Sequence, residues 1–333
     1  MGKVREYLKL MRFQAAGAVW IVLVIGALAQ TGTKTTWELL FQLFPLGALT
    51  YVLAIVMNEY YDVEVDRASK ALSTKPLVSG EISMRSALVI CWIALILSSI
   101  YVVVLWGPIV LLWYLLSSLV GAQYNIHGKK HYGMDFFVSL WAAMYCILGA
   151  MIAGPVDTMP WKLEPLVYVM SWMWFFRLVV GNSVEGGLKD LEHDLAYGAK
   201  TLPRLFGVKL EKDRIRYTPG WLVFQWGLEI CFAAAIITPA YYGQISISLV
   251  QSIVITGLLA GMVLTLMGIA PRKFHRERMK KNIYIHEAMG FGIMGIMLLE
   301  KADWGHVLVI LFFPIIWFAI WTRAIYGKSL PTI

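Results

Sequence analysis

Charged residues are scarce in this chain. They make up 15% of its 333 residues, where an average soluble domain carries about 25%. That scarcity excludes an ordinary soluble fold, which needs a charged exterior. Cysteine is scarcer still. The three present, Cys91, Cys146 and Cys231, all lie in apolar runs, and their number is odd. A disulfide framework and a thiolate metal centre are both excluded, and the thiols read as small hydrophobes. Strict apolar/polar alternation is missing, so a transmembrane barrel is excluded. No internal repeat is visible. No cleavable leader stands out either, and the first apolar run reads as a retained anchor. Met1-Gly2 is followed by Glu6 where a myristoylation signal needs Ser or Thr.

Apolar residues fill the space, at 59% of the chain. They come in runs near or above the roughly 18 residues that a spanning helix needs. Ten candidate spans cover about 13–30, 37–58, 84–105, 108–126, 135–154, 164–186, 219–238, 245–269, 283–299 and 305–325. The expected fold is all-α, a polytopic transmembrane bundle, forming a single domain over 1–333.

The net charge of +8 invites a nucleic-acid reading, but its distribution argues otherwise. Alternate loops and the two ends hold 25 of the 29 Lys and Arg residues; Lys34, Lys162, Lys301 and the mid-span Arg177 are the rest. This positive-inside asymmetry puts both ends, and the loops after the second, fourth, sixth and eighth spans, in the cytoplasm. The basic balance reports topology and anionic lipid, with no nucleic-acid partner.

Acid is concentrated as well. Eight of the 21 acidic residues lie in two segments, 59–66 and 185–194, each closing a span on the cytoplasmic side. Asn58, Asp62 and Asp66 are four residues apart, as are Asp190 and Asp194. On a helix these stack on one face, where like charges repel. A cation between them removes the penalty. All-oxygen donors favour a hard ion such as Mg²⁺, which binds through one or two carboxylates plus a phosphate. Two half-sites on separate helices suit a diphosphate bridged by two Mg²⁺ ions. Cations follow each cluster: Arg67, Lys70 and Lys75 the first, Lys200 and Arg204 the second, with Lys189 inside it. The loop from Tyr124 to His131 adds Lys129 and Lys130. Carboxylates, metal and cations together neutralise a polyphosphate. The competing reading is an ion-coupled transporter, but carriers place such groups near the midplane rather than at one face.

Asn58-x-x-x-Asp62-x-x-x-Asp66-Arg67 with Lys75-Pro76-Leu77-Val78-Ser79-Gly80-Glu81-Ile82-Ser83 resembles the first signature of the UbiA superfamily of intramembrane polyprenyltransferases. Asp190-x-x-x-Asp194 with Thr201-Leu202-Pro203 resembles the second, and Tyr124 with Lys129 and Lys130 the weaker loop after the fourth helix. Departures are Glu59 where Asp is usual, off the metal-facing side, and Lys75-Pro76-Leu77-Val78 where the family has Arg-Pro-Ile-Pro. The resemblance implies nine helices against the ten spans counted, with motif loops at about 58–84 and 185–216 in the cytoplasm. It implies Mg²⁺-dependent transfer of a polyprenyl group from a prenyl diphosphate to a lipophilic acceptor within the membrane. The wording is similar to the archaeal glyceryl-ether and chlorophyll-type branches, which favours a geranylgeranyl donor and a glyceryl phosphate ether acceptor.

The metal-binding expectation is Asn58, Asp62, Asp66, Asp190 and Asp194. The carboxylates and Tyr124 are expected to act in catalysis. Arg67, Lys75, Lys129, Lys130, Lys189, Lys200, Arg177 and Asn182 are expected at substrate. Arg177 reads equally as a structural partner of Glu229. His286-Glu287 and Glu300 read as interfacial, and the run Arg272–Lys281 as a topology determinant.

The charge asymmetry makes a direct prediction. A single cysteine at Ser69, with the native cysteines replaced, should react with an impermeant thiol reagent from the cytoplasmic side. Reaction only from the opposite side would reverse the topology.

Overall fold

The computed structural model describes residues 2–67, 72–156 and 158–327; Lys70 and Lys328 lie outside them. The helices are α1 (Gly2–Leu10), α2 (Gly17–Thr31), α3 (Trp37–Arg67), α4 (Pro76–Ser79), α5 (Met84–His127), α6 (Asp135–Ala153) and α7 (Pro165–Val179). They continue as α8 (Gly187–Lys189), α9 (Leu191–Tyr197), α10 (Leu202–Leu205), α11 (Pro219–Tyr241), α12 (Leu249–Ile269), α13 (Arg276–Leu298) and α14 (Trp304–Tyr326). A hairpin of β1 (Lys209–Glu211) and β2 (Arg214–Arg216) is the one sheet among the described residues.

Each of the ten apolar stretches carries helix. The 44-residue α5 covers two of them and breaks at Gly107, where φ is +84° and Pro108 follows. Only glycine adopts that backbone freely, and the proline cannot donate to the helix behind it. Among the described residues, seven helices are long and apolar enough to cross a membrane. The fold is an all-α membrane bundle, as expected.

The innermost helix is α2. Ile21, Leu23, Val24, Ile25, Ala27 and Leu28 are completely buried. The outer rods differ: Trp92, Ile96, Val104 and Leu112 of α5 and Val223 and Ile230 of α11 are exposed apolar side chains. In water such a surface would be a liability. In lipid it is what a spanning helix presents, since backbone groups are satisfied within the helix. Cys231 lies on such an exposed face, whereas Cys146 is buried and Cys91 half-buried; all three are free thiols.

The packing of α2 against α6 is tight because small residues let the backbones approach. A Cβ on Gly26 would stand 1.8 Å from the Cys146 carbonyl oxygen, and one on Gly149 2.0 Å from that of Leu23. Indole hydrogen bonds tie neighbours to this pair: Trp20 Nε1 donates to Leu40 O at 2.8 Å, and Trp113 Nε1 to Met144 O at 2.9 Å.

At one end, α3 carries the first acid cluster beyond the bilayer's apolar depth. Its 31 residues extend about 46 Å, against about 30 Å of hydrocarbon. The second cluster follows α7 through a π-helical segment, Val180–Gly186. Such wide turns concentrate at functional sites. The hairpin docks on the next loop: Ile215 N donates to Arg272 O at 2.8 Å and Phe274 N to Asp213 O at 2.7 Å. This brings the basic run toward the second cluster.

Gly26→Ala and Gly149→Ala should each destabilise the protein by about 1–3 kcal/mol, the cost of overpacking. Thermal unfolding in detergent reads this directly; an unchanged midpoint in both would mean the two helices have room to separate.

Candidate active site

The first acid cluster lies on the last turns of α3. Asn58 and Asp62 are half-buried, and Asp66 is buried at 3% exposure. Lys75, just before α4, places Nζ 2.6 Å from Asp66 Oδ2 and 3.0 Å from Glu59 Oε2. Glu59 is also buried, and Arg12 donates to it through Nη2. Thus Glu59 is indeed off the face of Asn58, Asp62 and Asp66, but it is not idle. It holds two cations beside that face.

The second cluster sits where α8 gives way to α9. Asp190 interrupts the helix at φ −100°, ψ 9°, yet Asp194 N still donates to Asp190 O at 2.9 Å, so the one-turn spacing survives. Asp194 is buried. Burial pushes its carboxyl above the ordinary range, with Lys129 opposing and Asp190 reinforcing the shift. Asp190 is half-exposed; Arg276 Nη2 approaches its Oδ1 at 2.6 Å and Lys189 Nζ its Oδ2 at 3.5 Å.

The loop after α5 joins the clusters. Lys129 is half-buried, and its charge opposes the upward push of burial on Asp194. Its carbonyl accepts the backbone N–H of Lys200 at 2.9 Å, which ties the third loop to the second cluster. Tyr124 stands within electrostatic reach of Asp62, Asp190, Asp194 and Asp135. Asn58, Asp62 and Asp66 thus lie on the last turns of α3, and Asp190 and Asp194 at the junction of α8 and α9, which the loop after α5 touches through Lys129 and Lys200. Lys75, Lys129 and Lys189 accompany them, while Arg67, Lys130 and Lys200 are exposed.

Below this polar end lies an apolar groove of about 680 Å³, between α3, α5 and α6. Leu53, Leu88, Trp92, Leu95, Leu115 and Leu119 line its body, and Asn58, Tyr61 and Tyr124 its polar end. Its size falls in the range of sites that enclose a ligand.

Residues 18–267 match the family model described as the UbiA prenyltransferase family. The chain belongs to that family. A digeranylgeranylglyceryl phosphate synthase of Korarchaeum cryptofilum is similar over 90% of this chain and 98% of its own length, at 28% identity. A 4-hydroxybenzoate octaprenyltransferase of Shewanella frigidimarina is similar over 70% of this chain and 77% of its own, at 26% identity. Among solved structures, a UbiA homolog from Archaeoglobus fulgidus bound to GPP and Mg²⁺ superposes with a TM-score of 0.59 at 19% identity, over 87% of this chain and 99% of that one. A structure of digeranylgeranylglyceryl phosphate synthase gives a TM-score of 0.63 at 19% identity, over 93% and 99%. This chain is an integral, multi-pass UbiA prenyltransferase, and the transporter reading falls away.

Two expectations need correction. His286 is completely buried rather than interfacial. Its Nδ1 lies 2.6 Å from Glu185 Oε1, and its Nε2 3.2 Å from Glu229 Oε1. Arg177 pairs with Glu185 at 3.0 Å and Glu287 at 2.9 Å, and Glu229 reaches it only through the histidine. Arg276 was missed as a site residue. It is 86 positions from Asp190, and no local pattern marks one member of a basic run as a partner.

The different environments of the acidic residues separate their variants. Asp62→Ala and Asp190→Ala should abolish turnover while unfolding near the wild-type temperature. Glu59→Ala leaves Arg12 without its carboxylate partner and Lys75 with Asp66 alone, a loss of about 1–3 kcal/mol, and should lower the unfolding midpoint by several degrees. Equal thermal stability of all three would remove the structural role from Glu59.

Proposed function

We propose that this UbiA enzyme transfers a geranylgeranyl group from its diphosphate to a glyceryl phosphate ether, at a site opening to the cytoplasm. The observation that carries the reading is the apolar groove whose polar end, at Asn58, Tyr61 and Tyr124, adjoins the first carboxylate cluster, with the next loop tied to the second through Lys129 and Lys200. The similar digeranylgeranylglyceryl phosphate synthases support the choice of acceptor. The cytoplasmic opening rests on the distribution of Lys and Arg.

A divalent metal suits the donor set. Asn58, Asp62, Asp66, Asp190 and Asp194 offer hard oxygens only. Among the described residues no three His, Cys, Asp or Glu side chains form a ready cage. Hard oxygen donors suit Mg²⁺, which completes its shell with water and substrate phosphate, and two such ions would match the two clusters. When bound, the metal supplies charge neutralisation for the departing diphosphate. The protein's own cations share that task. Lys129 lies between the clusters, Lys75 sits on Asp66, and Lys189 beside Asp190. Each offers N–H donors to phosphate oxygens where negative charge builds. The groove holds the prenyl chain away from water, so that the allylic cation meets the acceptor oxygen rather than solvent. Tyr124 stands at the groove's polar end, beside the carbon that carries that charge, where a ring face stabilises a cation.

Groups that act as one unit are non-additive: losing one costs about as much as losing several. Asp66→Asn combined with Asp194→Asn should therefore be scarcely slower than the worse single variant. Additive losses would mean two independent sites. A non-reactive geranylgeranyl diphosphate analogue should bind well only with Mg²⁺ present, as read by calorimetry. A panel of donors and acceptors completes the test. Faster turnover of hydroxybenzoate than of a glyceryl phosphate ether would overturn the acceptor assignment.

A further inference from the structure

The basic run from Arg272 to Lys281 leads into α13, and its members are not equivalent. Lys273 pairs with Asp213 of the hairpin, and Lys280 with Glu277. Arg276 reaches the second carboxylate cluster instead: its Nη2 lies 2.6 Å from Asp190 Oδ1. Arg276 is the first residue of α13. A cation there meets the positive end of the helix dipole, which disfavours it. The backbone on either side is nonetheless fixed. The hairpin bonds to Arg272 and Phe274, Lys273 bridges to Arg214, and Tyr217 Oη donates to Pro271 O at 2.9 Å. Beyond Arg276, Met279 is completely buried, and its N–H donates to His275 O at 3.0 Å. Arg276 thus stands between two anchored points.

We propose that Arg276 is a diphosphate-binding residue, which holds Asp190 in place and donates to phosphate oxygens of the prenyl donor. The assignment rests on the prenyl-transfer reading above and adds a contact from a loop outside both carboxylate motifs. Three features support it. A guanidinium carries five N–H groups, and the contact with Asp190 is made through Nη2 alone. The Arg276 side chain is 51% exposed, so its other donors are open to an incoming ligand. Asp190 can share its oxygens as well. Oδ1 accepts from Arg276 and Oδ2 has Lys189 at 3.5 Å, and each oxygen has a second lone pair for a metal. The planar fork of an arginine also matches paired phosphate oxygens, where an ammonium acts as a point charge. A cation held against the helix dipole is a local conflict of the kind found at functional sites. Arg276 takes no proton and forms no covalent bond in the transfer. It neutralises oxygens on which charge builds as the bond from the prenyl carbon to the diphosphate breaks. The hairpin, which fixes the loop before α13, is then the brace of this contact.

The test uses the full-length protein in detergent and reads binding by calorimetry, so that turnover is not required. The probes are the non-reactive geranylgeranyl diphosphate analogue and inorganic diphosphate, each at saturating Mg²⁺. Arg276→Gln should weaken both about tenfold, the loss expected of a hydrogen bond to a charged group. Arg276→Lys keeps the charge without the fork and should recover part of that loss. Arg278→Gln, at an exposed position of the same run, should bind both probes as the wild type does. All three variants should unfold near the wild-type temperature, because solvent-open ion pairs add little stability. Wild-type affinity in Arg276→Gln overturns the proposal. So does an equal loss in Arg278→Gln, which would report the charge of the run rather than a contact. A third result also refutes the phosphate contact: Arg276→Gln raises the Mg²⁺ concentration needed for half-saturation while probe affinity at saturating Mg²⁺ is unchanged. Arg276 would then serve Asp190 alone. Mg²⁺-dependent binding that requires Arg276, without product from any acceptor, would support this contact while refuting the transfer reading.

Discussion

Carboxylates collected at the ends of apolar helices must be neutralised, and the arrangement of that whole face follows from this demand. An isolated charge taken out of water is costly unless it is paired. Here Asp66 and Asp190 each meet a cation from a different part of the chain. Asp66 meets Lys75 from the segment before α4, and Asp190 meets Arg276 from the start of α13. Lys129, from the loop after α5, offsets part of the cost of burying Asp194. Pairing therefore pulls loops together that are far apart in sequence. The cations that pair with this face carry the N–H donors that the proposed diphosphate needs.

The interior behind that face is divided by polarity. The groove between α3, α5 and α6 is apolar, whereas the neighbouring cavity against α7 and α13 is lined with charge. Arg12, Leu178 and Asn182 line both, and behind the charged cavity stands the network of Arg177, Glu185, Glu287, His286 and Glu229, built across α7, its π-helical extension, α11 and α13. The wide π turn displaces Glu185 and Asn182 from where an ordinary helix would put them. Such local irregularity costs helix stability and persists when neighbouring contacts hold it.

Much of the candidate site is legible in the sequence because its signals are local. The four-residue spacing of Asn58, Asp62 and Asp66, and of Asp190 and Asp194, is a property of one helical turn, and it survives even where Asp190 breaks the helix. Tyr124 and Lys129 were legible for a similar reason, as a short polar loop closing a long apolar run. What escaped were residues whose role depends on distant partners. Glu59 is off the metal-facing side, as helical geometry requires, yet it anchors Arg12 and Lys75. His286 sits near the polar start of α13, which suggested an interface, but neighbouring helices cover it completely.

Hydropathy by itself determined the class of fold, because backbone groups in a bilayer can be satisfied only within a helix or a closed barrel. The distribution of Lys and Arg makes an orientation expected, and carboxylate spacing marks candidate metal-binding residues, since both act over a few residues or one loop. Only the tertiary structure decided which cation serves which carboxylate, that α2 lies innermost, and that a charged cavity abuts the apolar groove. Those outcomes depend on the packing of helices separated by tens to hundreds of residues. That packing is set by shape, as where Gly26 and Gly149 let α2 and α6 touch, and no short-range pattern encodes it.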